Sequence, residues 1–129
     1  MATSSQPEKL SKISRVGVSS GVAEREVFIT SDAERDLEEI ADYIEHHDSR
    51  EKADNVYERI KETILNLETL TSRGRIVPEL KDVGVSDFRE VLFRPYRILY
   101  LVSEQRVCVY CIFDGRRDGE DVLSGRFLR

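Results

Sequence analysis

From Leu37 to Leu67 apolar residues recur in steps of three and four; from Phe88 to Phe113 that rhythm gives way to three short runs rich in Val, Ile, Phe and Tyr. A 3.6-residue period places one apolar stripe along a helix, and two such stripes in succession must be buried against something. A self-packed pair covers its stripes only in part, so the β-rich second half has to supply the opposing surface. That order of patterns restricts the chain to one sheet with helices packed on it, the α+β arrangement.

The local signals refine this outline. Val27-Phe28-Ile29 reads as a first strand. Ser31-Asp32-Ala33-Glu34 has the form of a capping box, with Ser31 accepting from the Glu34 backbone and Glu34 reaching back. Leu37, Ile40, Ala41 and Ile44 give the first stripe, and the helix is expected to end near His46-His47-Asp48. Ser49 is placed to cap a second helix, whose seam is Ala53, Val56, Tyr57, Ile60, Ile64 and Leu67. The short connection makes the two helices an antiparallel hairpin. After a loop at Thr71–Gly74, strands are expected over Phe88–Phe93, Arg97–Val102 and Arg106–Phe113. Arg94-Pro95 and Ser103-Glu104-Gln105 break the runs, and links this short imply antiparallel neighbours. The expected fold is therefore an N-terminal strand, a helical hairpin and a three-stranded antiparallel meander in one sheet, with a short closing element at Asp121–Leu128.

A length of 129 residues suits one domain. Residues 26–129 are assigned to it, and residues 1–25, serine-bearing and without periodicity, read as a flexible tail in which Val16, Val18 and Val22 could add a short strand. No apolar run approaches the ~20 residues of a membrane span. Lys9, Lys12 and Arg15 are not followed by an apolar stretch, so no signal peptide is expected. Two cysteines are too few for a disulfide-stapled scaffold. A cytoplasmic protein with no membrane partner is the resulting expectation.

The net charge of −5 is unevenly spread. Residues 31–70 carry a balance of −8, whereas residues 71–129 carry +2, with ten arginines among their eleven cations. Arginine's planar fork suits carboxylate and phosphate. A solvated acidic helix face and ordinary surface arginines would produce the same division.

Four segments carry a resemblance to a known family. Gly74-Arg75-Ile76-Val77-Pro78-Glu79-Leu80 is similar to a G-R-x-V-P-E-L segment, and Phe88-Arg89-Glu90-Val91 to an aromatic-[RK]-E-x strand. Pro95-Tyr96-Arg97-Ile98-Leu99-Tyr100 matches a P-Y-R-[VI]-[LI]-Y strand, and Gly115-Arg116-Arg117-Asp118 an H-G-R-R-D ending. In this order they resemble the RelE/ParE toxin superfamily over roughly residues 27–118; residues 1–25 have no counterpart. The resemblance implies a RelE/ParE-like fold, no cofactor, and the role of toxin in a type II toxin–antitoxin pair. It also implies a cognate antitoxin as partner, bound through the sheet and the groove beside the hairpin, with a homodimer or a hetero-oligomer with antitoxin as the form of assembly.

Two activities dominate that superfamily, and the residues favour one. Cleavage of mRNA on the ribosome needs proton-handling groups beside the phosphate-binding cations. The matching positions hold Arg89, Arg97 and Arg117, the catalytic candidates if the protein is an RNase. Val91 stands where a second lysine is expected, Leu123 falls about where a C-terminal tyrosine would lie, and Asp114 replaces the histidine before the Gly-Arg-Arg run. Arginine hardly deprotonates and is a poor acid or base. Inhibition of DNA gyrase, the ParE-like activity, asks only for a stable domain and a surface. It is preferred, with Arg75, Tyr96, Arg116 and Arg117 as the binding candidates. An endoribonuclease acting on ribosome and mRNA is the alternative, and a non-toxic antitoxin-binding member is a third reading.

Several features are given ordinary roles. Cys108 and Cys111 lie three apart on a strand, where alternation would point them to opposite faces, and no second pair completes a metal site. His46 and His47 belong to the hairpin turn, far along the chain from the arginines. Arg89 and Arg97 have an intramolecular reading, held by Glu79, Glu90 or helix acids, and Arg116 and Arg117 one in which they pair with Glu90 or Asp118. Tyr57, Tyr96, Tyr100 and Tyr110 are expected to pack.

Overall fold

The computed structural model describes residues 10–12, 26–68, 74–85, 87–103 and 106–127. Chain order is β1 (Leu10–Lys12), β2 (Glu26–Thr30), α1 (Ser31–His47), α2 (Arg50–Leu65), a 3₁₀ turn (Asn66–Glu68), β3 (Arg75–Ile76), α3 (Pro78–Lys81), β4 (Phe88–Phe93), β5 (Tyr96–Ser103), β6 (Arg106–Asp114) and α4 (Gly119–Phe127). The described strands form one sheet in the order β1-β2-β6-β5-β4-β3. Only the β2–β6 pair is parallel; the others are antiparallel. The expected strand, hairpin and meander are all present in an α+β fold.

Two edge strands were not expected. β3 pairs Arg75 and Ile76 with Glu90 and Arg89. β1 lies within the segment read as a tail and sets Leu10, Ser11 and Lys12 against Thr30, Ile29 and Phe28. Val16, Val18 and Val22, like Thr71–Arg73 and Glu104–Gln105, lie outside the described residues.

The cap of α1 differs from the expected one. Thr30 is the N-cap, its hydroxyl accepting the Ala33 N–H at 3.1 Å, and Ser31 is already helical. Thr30 is extended because it also ends β2, so the strand fixes where the helix begins and moves the cap one residue earlier, with Ala33 at the third helical position, where no Glu side chain is present to bond back. At α2 the expectation holds: Ser49 accepts from the Lys52 N–H at 3.1 Å.

The sheet has a core on each face. Toward the hairpin, Leu37, Ile60, Ile64 and Leu67 pack on Val27, Val91, Ile98, Tyr100, Val109 and Ile112. On the other face Val77, Leu80, Leu99, Cys111, Phe113 and Leu123 form a second cluster under α3 and α4.

A bulge in β6 changes which residues belong to which face. Leu99 stands opposite Cys111 and Tyr100 opposite Val109, so Tyr110 is an extra residue. Leu101 stands opposite Cys108. Leu99 and Leu101 share a face, and the two cysteines therefore do too, contrary to the simple alternation read from the sequence. Both are buried free thiols. Burial pushes Cys111 up to about 12 and Cys108 upward as well, so neither is poised to react.

Candidate functional site

The motif residues build two separate features. The first lies under α3 and α4. Arg97 projects from β5 to the face opposite the hairpin, where its Nη1 and Nη2 donate to Glu79 at 2.8 and 2.7 Å and its Nε donates to Glu90 at 2.7 Å. The other Glu90 oxygen accepts from Arg75 Nε at 2.6 Å. Glu90 is only 1% exposed, and a charge so deep requires partners for both oxygens. The Arg97 guanidinium also lies 4.9 Å from the Phe113 ring centroid, a cation–π distance. Hydrogen bonding from Arg97 holds the Glu79 carboxyl below its usual range, and Glu79 in turn raises Arg97.

Two glycines make room for this network, and a third is fitted to the hairpin-side core. A side chain on Gly119 would run into the Glu79 carboxylate and come within 2.9 Å of Arg97 Nη1. One on Gly115 would meet the Pro95 carbonyl at 2.9 Å. Gly74 sits against Tyr100, to whose hydroxyl its N–H donates at 3.0 Å. Gly115 and Gly119 are thus explained by close approach to Arg97 and its partners.

The second feature is a groove of ≈ 790 Å³ at the turn end of the hairpin. α1 contributes Ile40, Tyr43, Ile44 and His47, and α2 contributes Lys52 and Val56. The opposite wall is the β4–β5 turn, Phe93 to Tyr96, and the floor is Ile112 to Asp114, with Arg116 and Arg117 at the rim. Tyr43, 64% exposed, stacks on His47 with ring centroids 4.0 Å apart. His47 Nδ1 donates to the Tyr43 carbonyl at 2.9 Å, which leaves Nε2 as the acceptor of the neutral ring. Arg116 is bound to Asp114, the shortest contact being 2.6 Å, and it holds that carboxyl below its usual range.

The predicted site residues are distributed between these features. Tyr96, Arg116 and Arg117 meet in the groove; Arg75 is apart, at the far edge of the sheet. Arg97 belongs to the buried network. Arg89 shares the hairpin face with Val91 and Tyr100, because residues two apart on a strand, or directly paired across strands, lie on one side. Arg89 and Arg97 therefore project to opposite faces. Arg116 pairs with Asp114 rather than with Glu90 or Asp118, since Glu90 is already saturated by Arg75 and Arg97. His47, read as remote from the arginines, lines the same groove as Arg116 and Arg117: the hairpin folds its turn back onto the end of β6.

Asp36 and Arg126 were not singled out from the sequence. They pair at 2.7 Å although they are 90 residues apart, so no local pattern could reveal them.

Taken together, the fold and its two features define a single-sheet α+β protein with a buried arginine–carboxylate lock under α3 and α4 and an open, partly apolar groove beside the hairpin. A family model described as "ParE toxin of type II toxin-antitoxin system, parDE" matches residues 27–119. The chain belongs to the ParE toxin family. Among solved structures it is similar to one titled "Chromosomal ParDE TA system from P. aeruginosa", with a TM-score of 0.56 and 24% identity over 67% of this chain and 90% of that one. That likeness concerns the fold. No curated protein matches the chain. Among the described residues no helix is long and apolar enough to cross a membrane.

Proposed function

We propose that this ParE-family toxin is restrained by a cognate antitoxin seated in the groove and acts by inhibiting DNA gyrase through a protein surface. The observation that carries this reading is the dispersal of the three arginines that RNA cleavage would need. Arg97 is committed through Nε, Nη1 and Nη2 to Glu79 and Glu90, and Arg89 lies on the opposite face of the sheet. Arg117 is on the groove rim. A phosphorane has to be met by several groups converging within hydrogen-bond reach. A binding surface has no such requirement.

Membership of a family described by its toxin–antitoxin system supports the antitoxin as partner. The groove supports where it sits, because Tyr43 exposes a large ring facing the wall at Tyr96 above the floor at Ile112.

The test follows purified toxin in a gyrase supercoiling reaction, alongside translation and DNA integrity in cells expressing it. Loss of supercoiling, and DNA breaks that precede any fall in translation, are expected. Collapse of translation with intact DNA would overturn the reading and return Arg89, Arg97 and Arg117 to the role of catalytic candidates. Normal growth with active gyrase would identify a non-toxic antitoxin-binding member.

A further inference from the structure

Open backbone along the sheet is covered by different means at different places. An uncovered strand edge is a template for pairing with another chain. β6 loses β2 beyond Val109, and there side chains occupy its flank: Asp36 accepts the Ile112 N–H at 3.0 Å, and Arg126 Nη1 donates to the Tyr110 carbonyl at 3.0 Å. β3, at one edge of the sheet, is only two residues long. Toward the other edge lies β2, five residues long and covered at Phe28–Thr30 by the three residues of β1. The family match begins at residue 27, so β2 is the outermost strand of the matched domain on this side and β1 is added to it. Three register pairs must hold against a connection of thirteen residues, 13–25. Short strand pairs are marginal in water, and the entropy cost of joining their ends grows with the length between them. β1 is a weak cover over a longer edge.

The register of β1 shows what this edge accepts, an antiparallel strand. β2 itself meets that requirement. A two-fold axis through Phe28 would pair all five residues of β2 with those of a second copy. Glu26 then stands opposite Thr30, Val27 opposite Ile29, and Phe28 opposite its own equivalent. No charge faces a like charge, and an aromatic pair lies at the centre, a favourable cross-strand combination. Val27 and Ile29 belong to the hairpin-side core, so the half-buried Phe28 projects to the other face, where the Arg106 guanidinium lies 4.9 Å from its ring centroid.

We infer that the outer edge of β2 is a strand-pairing site which β1 of the same chain keeps covered, and that when β1 lifts the site takes β2 of a second copy, in an antiparallel pair centred on Phe28. The two chains then share one continuous sheet. Among the described residues no member of β2 lines the groove, so the edge and the groove are separate sites and the pairing is independent of the antitoxin and gyrase assignments above. Because β1 and the second copy compete for the same backbone, loosening β1 strengthens the pairing by mass action.

The experiment uses the full chain and a Ser11→Pro variant, since Ser11 is the middle residue of β1 and stands opposite Ile29. Proline has no N–H to give to a ladder and is poorly accepted within one. Sedimentation over a concentration series reads the association, and hydrogen exchange reads the edge. The parent is expected to stay monomeric, and Ser11→Pro to dimerise at least about tenfold more tightly, a gap of about 1.4 kcal/mol. Exchange over Phe28–Thr30 in the variant should be fast when dilute and slow when concentrated, which locates the pair without a second substitution. Adding Phe28→Glu to Ser11→Pro sets two carboxylates against each other across the axis and should return the protein to monomer. A Ser11→Pro variant that is monomeric throughout would overturn the self-pairing, and unchanged exchange over Phe28–Thr30 would overturn the cover as well. A dimer that leaves exchange at β2 fast, or that survives Phe28→Glu, would place the contact elsewhere and defeat the inference.

Discussion

The two arginine clusters sit on opposite faces of one sheet and use the same side chain in opposed ways. Under α3 and α4, Arg97 has an 11% exposed side chain with carboxylates on every nitrogen. At the groove, Arg116 has a 76% exposed side chain with one neighbouring partner, and Arg94 and Arg117 have none among the described residues. An ion pair in low dielectric is a commitment: separating it leaves a bare buried charge. A pair in water is weakly held and easily exchanged for an outside partner. Similar Arg-containing motifs therefore encode a structural lock on one side and an adaptable surface on the other.

Arg97→Ala should produce the largest effect, because it leaves Glu79 without its partner and the buried Glu90 with Arg75 alone. Removing one partner of a buried pair costs about 3–5 kcal/mol, to be read from urea unfolding. A loss under 1 kcal/mol would mean that water enters the cluster and that the contrast between the two faces is overdrawn. Acid offers a second approach to the same lock. Glu79 has a folded pKa below its ordinary value, so its stabilisation is complete above the usual carboxylate range and is lost as pH falls through the lowered folded value. The parent should lose stability over that acidic window, and Glu79→Gln should show a shallower loss there.

Gly119→Ala comes next. The added methyl meets Glu79 and Arg97, and overpacking of a close-fitted site costs about 1–3 kcal/mol. Gly125→Ala in the same helix has open space around it and should stabilise slightly through helix propensity. A pair of variants with the same sign would show that α4 is not fitted to the lock.

How much of this was legible in the sequence depends on the range of the interaction. The hairpin and the three long strands followed from residue periodicity, and Ser49 from its own local signature. Thr30 was missed because a strand running straight into a helix moved the cap by one position. The phase of Cys111 was hidden by a bulge at Tyr110, which one-strand alternation cannot anticipate. Glu79 and Glu90 could be named as candidate partners for Arg97, yet only the fold shows both gripping it together. His47 and Arg117 meet through the return of the hairpin over β6, a contact between distant segments that no spacing records.

Arg117→Ala should change folding least. Its side chain is exposed, and substitutions away from cores, caps and networks fall within about 0.5 kcal/mol of the parent. The informative comparison is with ionic strength. Surface charges beyond a Debye length of about 8 Å at physiological salt are screened, whereas buried pairs are screened far less. Added salt should therefore leave the stability difference between the parent and Arg97→Ala nearly intact. It should weaken partner binding in the parent more than in Arg117→Ala, because the variant has already lost part of the screened attraction. If binding by the parent proved indifferent to salt, the rim arginines would be spectators and recognition would rest on the apolar floor. If instead the Arg97 difference vanished with salt, the lock would be as wet as the groove, and the two faces of the sheet would differ in geometry but not in physics.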